Sequence, residues 1–403
     1  MNTFSSRIID WQRQYGRHGL PWQGADAYRV WLSEIMLQQT QVITVIPYYQ
    51  RFVARFPNIA ALAAASEDDV LAHWSGLGYY SRARNLFRAA QLIMQQHDGL
   101  FPHHFDDICA LPGIGRSTAA AISALAFHER RAILDGNVKR VLARYCAIEG
   151  YTGDKNIEAQ LWRQAEILLP HSPPPRAGKT GECGDVDNLI ATYTQGLMDL
   201  GSQLCTRGRP QCEACPLHED CAALKRGLVA RLPTPRPRKV LPEKHSTFLL
   251  LLNGCDILLE KRPGSGIWGG LWCPPQLDKG ENVAAYCAQH FGVEVTLPQE
   301  SAAKTTRHSG GVNSTSALAG SGLPTFGEGR NPAKSGSKCE ALPSFSHTFT
   351  HFKLHISPLA VRVAHKTGQM QEPGRMWLDV GEALDAAIPT PVRKLLQTLL
   401  KSR

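Results

Sequence analysis

The chain has 403 residues, of which 43% are hydrophobic, so it is long enough for two or three domains that each bury a core. Its 44 Lys and Arg outnumber 35 Asp and Glu, and this +9 charge favours contact with a polyanion such as nucleic acid. The first twelve residues are too polar for a signal peptide, and no stretch has the apolar length of a membrane span. We therefore predict a cytoplasmic, nucleoid-associated protein with no membrane contact.

Residues 1–225 carry alanine-rich amphipathic runs separated by short Gly/Pro turns, a pattern that predicts an all-α region. Residues 226–245 are rich in proline and basic residues, and we predict a linker that either contacts DNA or is simply solvated. Residues 246–403 alternate short apolar, β-branched runs with one clear helical segment, so this part is predicted to be α+β.

Two segments are rich in Gly, Ser, Pro and small polar residues and have little apolar surface to bury. The first, 173–184, interrupts the helical region, and the second, 301–342, interrupts the α+β region. We predict both to be insertions, the longer one flexible.

Four cysteines with the spacing C-x6-C-x2-C-x5-C form the densest chemical signal: Cys205, Cys212, Cys215 and Cys221. A zinc ribbon needs two C-x2-C pairs and this run has one, whereas four thiolates in one compact loop suit an iron–sulfur cluster. Arg207 and Arg209 lie inside the loop, so a cluster that fixes its shape would also present positive charge to phosphate. We predict a 4Fe–4S cluster with a structural role in DNA binding.

The stretch "LPGIGRSTAAAI" predicts a helical hairpin whose turn contains Gly113 and Gly115. Amide groups at the start of the following helix would point outward and could bind a phosphate oxygen. Twenty residues on, an apolar run leads to Asp135 at the start of a basic helix. Taken alone, Asp135 is more typical of a helix N-cap than of a catalytic residue, and Asn137 is the competing candidate for the cap of the same helix.

Hairpin, Gly/Pro loop and aspartate together resemble the helix-hairpin-helix Gly-Pro-Asp glycosylases. The resemblance implies two helical lobes, one carrying the cluster and one, about 25–134, carrying the hairpin, with the active site between them. In "WLSEIMLQQTQV", Glu34 falls among apolar residues, so burial should raise its pKa and let it hold a proton near neutral pH.

That segment and "LAHWSGLGYYSRARNL" are similar to those of the MutY family of adenine DNA glycosylases. The resemblance implies that Glu34 protonates adenine and activates water, that Asp135 stabilises the sugar cation or a transient adduct, and that Asn137 assists. Gln39 and Tyr79 match the wedge positions that fill the gap left by a flipped adenine.

Relatives that also cut the DNA strand carry a lysine on the second hairpin helix, where this chain has Ser117. We therefore predict base removal without efficient strand cleavage. Lys139 lies near Asp135 in the sequence and is expected to contact phosphate rather than form a Schiff base.

The α+β part resembles the Nudix fold, but its helical segment offers only Glu281 where those hydrolases carry a run of metal-binding glutamates. Pyrophosphate hydrolysis is therefore not expected. The resemblance implies instead that this domain reads 8-oxoguanine, through Phe345, Ser346 and His347 in the loop "FSHTFTHFKL". Thr40 and Leu77 match further lesion contacts.

The resulting hypothesis is a monomeric adenine glycosylase acting on duplex DNA with A:8-oxoguanine or A:G mispairs. Two alternatives stay open: an endonuclease III-type glycosylase for oxidised pyrimidines, which would want the hairpin lysine and no second domain, and a non-catalytic iron–sulfur DNA-binding protein, which needs neither Glu34 nor Asp135.

Overall fold

The computed structural model describes residues 3–171, 189–237, 240–296 and 337–401. The chain divides into two compact units, the first comprising Met1–Val240 with Ile267–Leu271 and the second Leu241–Gly266 with Trp272–Arg403. None of the helices in these ranges combines the length and the apolar character that crossing a membrane requires. Each unit is described separately below.

The first unit is helical, as predicted. Polar caps start several of its helices; Asp26, Asn58, Ser66 and Asp154 each accept a hydrogen bond from a backbone amide of the first turn. Its helices are α1 (Thr3–Tyr15), α2 (Ala27–Leu37), α3 (Val42–Arg55), α4 (Ile59–Ala63), α5 (Glu67–Trp74), α6 (Ser81–Gln96), α7 (Phe105–Ala110), α8 (Arg116–Ala126), α9 (Gly136–Tyr145), α10 (Lys155–Ile167), α11 (Leu189–Gln203) and α12 (Ala222–Lys225).

Two apolar cores lie inside this unit. In one, the rings of Phe52, Phe56 and Trp74 pack together. The centroid of the Phe52 ring lies 4.8 Å from that of Phe56 and 5.9 Å from that of Trp74. In the other, α1, α9 and α11 bury residues such as Ile8 and Leu142. Helix α8, the second helix of the predicted hairpin, contacts both α2 and α11.

The second unit is a mixed sheet with helices α13 (Val283–Phe291) and α14 (Thr390–Lys401), which agrees with the predicted α+β class. The strands are β1 (Glu243–Asn253), β2 (Asp256–Lys261), β3 (Trp272–Cys273), β4 (Gln276–Asp278), β5 (Val295–Thr296), β6 (Ser337–Ala341), β7 (Phe345–Thr348), β8 (Lys353–Arg362) and β9 (Arg375–Asp379). Their order in the sheet is β3-β2-β1-β8-β6-β5, while β4 pairs with β1, β7 with β8 and β9 with β2.

The linker predicted at 226–245 differs from the structure at both ends. Leu232 is buried and its carbonyl accepts a 2.8 Å bond from Nε of Arg144, and the hydroxyl of Thr234 accepts a 3.0 Å bond from the amide of Gly150. Strand β1 already begins at Glu243. Prolines and basic residues disfavour regular structure but do not prevent packing, so most of this stretch belongs to the first unit.

The predicted insertions lie mostly outside the described residues, which omit 172–188 and 297–336. The end of the longer one is a correction: strand β6 falls inside the predicted range 301–342 and pairs with β8 through Cys339, Glu340 and Ala341. Short polar strands of this kind carry a weak sequence pattern, because edge pairing depends on the neighbouring strand.

Candidate active site

A cavity of about 650 Å³ in the first unit is lined by both carboxyl groups that the sequence singled out. Glu34 enters it from α2, and Asp135 enters it from the start of α9. Asn137 and Ser117 also line it. The predicted convergence of Glu34 and Asp135 on one cavity is therefore confirmed.

Glu34 lies on a helix that is otherwise deeply packed, with Trp31 and Leu32 fully buried. Burial, and secondarily the nearby charge of Asp135, raises the pKa of Glu34 to about 8. The carboxyl group therefore holds a proton at neutral pH, as the sequence predicted from its apolar neighbours. A proton held in a cavity large enough for a base is what general acid catalysis requires.

Asp135 is the N-cap of α9, and its Oδ1 accepts a 2.7 Å bond from the amide of Val138. Asn137 is not the cap; its side-chain amide donates to Oδ2 of Asp135 at 3.2 Å. Burial raises the pKa of Asp135 above its usual value. The hydrogen bonds from these two donors and the charge of Arg140 offset only part of this rise. The hydroxyl of Ser117 accepts a 2.9 Å bond from the amide of Leu134, which holds the chain immediately before Asp135.

A chain of hydrogen bonds links Asp135 to the cysteine loop. Arg140 donates from Nη2 to Oδ1 of Asn137 at 2.9 Å and from Nε to the carbonyl of Cys205 at 2.7 Å. Gly201 of α11 lies against this chain, since a Cβ there would be 2.6 Å from that of Asn137. Glycine at this position allows α11 to approach α9 closely enough for the bonds to form.

The two predicted wedge residues share an uncommon backbone conformation. Gln39 has φ +57° and Tyr79 has φ +49°, both in the left-handed region, and both side chains are exposed. Such conformations persist only where surrounding contacts hold them, and they concentrate at functional sites.

Arg82 supplies those contacts to both turns at once. It is buried at 7% exposure. On the Gln39 side, Nη1 donates to the carbonyls of Ile35, Met36 and Gln38 at 3.0, 2.8 and 2.5 Å, and Nη2 donates to the hydroxyl of Thr40 at 3.2 Å. On the Tyr79 side, Nη2 donates to the carbonyl of Gly78 at 3.1 Å. One guanidinium thus ties together the turns that carry the two wedges.

We expect Arg82→Lys to slow the adenine removal predicted from the sequence by about 10- to 100-fold, because an ammonium cannot reach both turns and each buried acceptor left unpaired costs about 1–3 kcal/mol. Single-turnover rates on a mispaired duplex, together with fluorescence of 2-aminopurine at the target position, would measure this. Arg88→Lys, an exposed arginine on the same helix, is the control. Normal base flipping in Arg82→Lys would contradict the role of Arg82 in holding the two wedge turns.

The hairpin prediction is confirmed in outline and corrected in one detail. Helices α7 and α8 flank the turn, and Gly113 has φ +80° with Asn85 so near that a Cβ would lie 2.8 Å from it. Gly115 has an ordinary φ of −96° as the N-cap of α8, and a Cβ there would meet open space. The turn therefore requires glycine only at Gly113.

Lys139 does not line the cavity. Its ammonium forms a 2.6 Å ion pair with Glu158, which lies on α10. The predicted phosphate contact would have to compete with this pair.

The four predicted ligand cysteines surround a small pocket between α9, α11 and α12. None of the four forms a disulfide, and burial and mutual repulsion raise the pKa values of Cys212, Cys215 and Cys221. Buried Arg144 donates from Nη1 to the sulfur of Cys205 at 3.3 Å. Arg207 and Arg209 are exposed, and Arg207 also lines the 650 Å³ cavity.

The spacing of these sulfurs distinguishes two kinds of metal site. Within the described ranges, which include all four cysteines, no three of their sulfur atoms lie within 4.8 Å of one another. Sulfurs bound to one tetrahedral zinc at about 2.3 Å would lie less than about 4 Å apart. A multi-iron cluster occupies more space between its ligands, so the arrangement fits a cluster better than a single ion.

The predicted lesion contacts lie in both units. Thr40 is held by Arg82, as described above, and Leu77 is buried at 6% exposure. In the second unit, Phe345, Ser346 and His347 lie in strand β7 rather than in a loop. Ser346 is exposed, and burial lowers the pKa of His347, whose ring packs edge-on against Phe349.

Sequence reasoning missed four polar residues: Arg17, Gln195 and Asp199 at the cavity, and Arg82 between the two wedge turns. Asp199 is fully buried and accepts bonds from Nε of Arg17 at 2.6 Å and from the side chain of Gln195 at 2.9 Å, and both partners line the cavity. Arg17 and Asp199 are far apart in the chain, so no local pattern could pair them. For Arg82 the sequence carried only one weak sign of a functional role, its position three residues after the wedge residue Tyr79.

The chain is similar to known DNA repair proteins. Residues 32–166 match the HhH-GPD superfamily base excision DNA repair proteins, and residues 247–309 match the NUDIX domain. The adenine DNA glycosylase of Buchnera aphidicola (subspecies Acyrthosiphon pisum) is 34% identical over 401 residues, covering 99% of this chain and 98% of the relative. The mouse adenine DNA glycosylase is 29% identical and covers 98% of this chain and 78% of its own length.

Among solved structures, a thermostable thymine-DNA glycosylase is 25% identical, covers 55% of this chain and 95% of its own, and gives a TM-score of 0.46. The family assignment rests on the full-length relatives, whose similarity extends across the helical unit, the cysteine loop and the second unit. This chain belongs to the adenine DNA glycosylase family.

Proposed function

We propose that this chain is a monofunctional adenine DNA glycosylase that acts as a monomer on adenine opposite 8-oxoguanine or guanine in duplex DNA. The observation that carries the proposal is the pair of carboxyl groups in one cavity, with the pKa of Glu34 raised to about 8. A non-catalytic DNA-binding protein has no use for such a pair, and membership of the family supports adenine as the base.

Glu34 supplies the acid in this mechanism. Its proton moves to a ring nitrogen of the adenine while the bond between that base and C1′ of the sugar breaks, so the base leaves as a neutral molecule. The resulting Glu34 carboxylate then takes a proton from water, and the water oxygen bonds to C1′. This second transfer restores the acid form of Glu34.

Asp135 supplies the negative charge. As C1′ loses the base it becomes oxocarbenium-like, and a carboxylate nearby stabilises it or bonds to it transiently, as in glycoside hydrolysis. The hydrogen bonds from Val138 and Asn137 keep the carboxylate in position without a change of rotamer. Pre-positioned charge of this kind avoids reorganisation during the reaction.

The duplex must release adenine from its stack before the cavity can receive it. Gln39 and Tyr79 are exposed on adjacent turns held by Arg82, where they can occupy the gap. The amides at the start of α8 and the exposed Arg207 would bind backbone phosphates.

Cys205, Cys212, Cys215 and Cys221 would hold a 4Fe–4S cluster, whose iron–sulfur bonds would supply a rigid cross-link to this loop. Arg144 already organises the loop from within, through bonds to Cys205 and to the carbonyl of Thr206. The loop in turn presents Arg207 and Arg209 to the DNA backbone, so the role proposed for the cluster is structural.

The second unit is proposed to read the base opposite the adenine. Its exposed Ser346 can donate or accept a hydrogen bond, and the lowered pKa of His347 favours a neutral ring that can do the same. Helix α13 of this unit contains no glutamate. Glu281 precedes the helix, and its carboxylate accepts a hydrogen bond from the amide of Asp278, so metal-dependent hydrolysis is not proposed.

The test is single-turnover release of base from duplexes carrying A:8-oxoguanine, A:G, A:T or an oxidised pyrimidine. We expect adenine release from the first two, with strand breaks appearing only after alkali treatment because Ser117 cannot form a Schiff base. Ser117→Lys is the matched variant, expected to gain strand cleavage and a borohydride-trapped adduct. Release of oxidised pyrimidine instead of adenine would establish the endonuclease III alternative, and binding without any release would establish the non-catalytic one.

A further inference from the structure

In the second unit, three side chains with metal-binding atoms meet on one face of the sheet. Strands β1 and β8 run parallel, and their register sets His245 opposite His355. Glu243 precedes His245 by two positions and so shares its face. Among the residues that the structure describes, this is the only group of three His, Cys, Asp or Glu side chains whose ligand atoms all lie within 4.8 Å of one another.

The group is already organised. Nε2 of His355 lies 3.1 Å from a carboxylate oxygen of Glu243, and the rings of His245 and His355 stack at 4.7 Å with an angle of 16°. The backbone under the three side chains is fixed by ten consecutive parallel pairs between the strands. Sites on paired strands hold their ligands more accurately than sites on loops.

We propose that Glu243, His245 and His355 bind one Zn²⁺ ion through a carboxylate oxygen and two imidazole nitrogens, with water in the fourth position. Two histidines and a glutamate form a known zinc ligand set, and imidazole suits zinc better than magnesium or calcium. Tetrahedral geometry needs the ligand atoms about 3–4 Å apart, with the ion in the plane of each imidazole ring. The two stacked rings therefore have to turn out of their parallel arrangement about χ1 and χ2 when the ion binds.

One neighbour opposes the ion. Nζ of Lys353 lies 3.8 Å from Oε1 of Glu243, the carboxylate oxygen that does not face His355. The positive charge of this lysine lowers the affinity of the group for a cation. The lysine side chain is 37% exposed and can turn into solvent when the ion binds. Lys353→Gln should therefore bind zinc more tightly than the parent chain.

The bound ion would lie beside the residues proposed to read the lesion. Strand β7 pairs with β8 so that Ser346 lies opposite His355, which sets His245, His355 and Ser346 in one row across three strands. The ion would cross-link β1, which carries His245, to β8, which carries His355. The zinc site does not depend on the proposed glycosylase activity, because it is defined by the sheet alone.

The experiment uses the full chain with its cysteine loop loaded with iron, so that thiols are not available to zinc. The protein is dialysed against zinc chloride, and zinc and iron per chain are measured by elemental analysis; affinity comes from calorimetry. We expect about one zinc per chain, with affinity reduced at least about tenfold in His355→Ala, His245→Ala and Glu243→Gln. His365→Ala, an exposed histidine of the same unit outside the group, should bind like the parent.

Cobalt(II) as a second probe separates this site from the cysteines. Coordination by nitrogen and oxygen gives weak visible bands without the intense sulfur-to-cobalt charge transfer of a thiolate site. Because the three ligands are at the surface, the variants should keep the parent's circular dichroism and iron content. The proposal fails if the parent retains no more zinc than His245→Ala/His355→Ala, or if its cobalt spectrum shows thiolate ligation.

Discussion

Glu34→Gln should remove adenine about 10,000-fold more slowly than the parent, because one substitution eliminates both the acid that protonates the base and the base that activates water. Glutamine has nearly the shape of a protonated glutamate, so binding of a duplex with A:8-oxoguanine should change little. Single-turnover kinetics and a binding titration on the same duplex would separate the two effects. Equal loss of binding and rate would point to misfolding instead.

The parent's pH dependence follows from the same group. The protonated form of Glu34 is the active acid, and its pKa is raised to about 8, so the rate should be level through neutral pH and fall above about pH 8. In Glu34→Gln this alkaline fall should disappear. A parent rate that still rises above pH 8 would exclude Glu34 as the acid.

Stability supplies an independent control for Glu34. A carboxyl group whose folded pKa is raised contributes stability below its unfolded pKa and loses that contribution as pH rises towards the folded value. At pH 8 the parent therefore carries an unfavourable buried carboxyl that Glu34→Gln lacks. We expect the variant to unfold at a higher temperature than the parent at pH 8, with the difference shrinking towards pH 4.

Asp135→Asn should slow adenine removal by about 100- to 1,000-fold, because the sugar cation loses its nearby negative charge. The fold should survive, since asparagine caps helices as well as aspartate does and its carbonyl oxygen can still accept the amide of Val138. Circular dichroism and iron content are the checks on folding. Single-turnover rates on the A:8-oxoguanine duplex give the effect itself.

The two carboxyl groups are also coupled, which gives Asp135→Asn a second observable. The charge of Asp135 contributes to the raised pKa of Glu34, so removing that charge should lower it. The alkaline fall of the residual activity should then move to lower pH than in the parent. Residual activity with an unchanged pH profile would contradict a shared site.

Much of the fold was accessible from local pattern. Apolar periodicity and polar caps predicted the helices of the first unit, and β-branched runs predicted the strands of the second. The pattern was least informative where pairing depends on a distant partner. Strand β6 was placed in an insertion, and the chain near Leu232 was taken for a linker although Arg144 holds it against α9.

The cavity was only partly predictable for the same reason. The apolar neighbours of Glu34 correctly predicted its raised pKa, since desolvation follows from the helix that carries it. The bonds of Arg82 to two turns, and those of Asp199 to Arg17 and Gln195, join residues whose order in the chain carries no sign of contact.

By itself, the sequence determined the two-part architecture and the cysteine set, because both are written in residue type and local spacing, whereas Glu34 and Asp135 were singled out through the resemblance to the glycosylase family. Only the tertiary structure decided that those acids share one cavity, that one buried arginine holds both wedge turns, and that two histidines and a glutamate meet on neighbouring strands. The physical reason is that burial and cross-chain distance, which set pKa values and ligand geometry, arise only when distant segments pack.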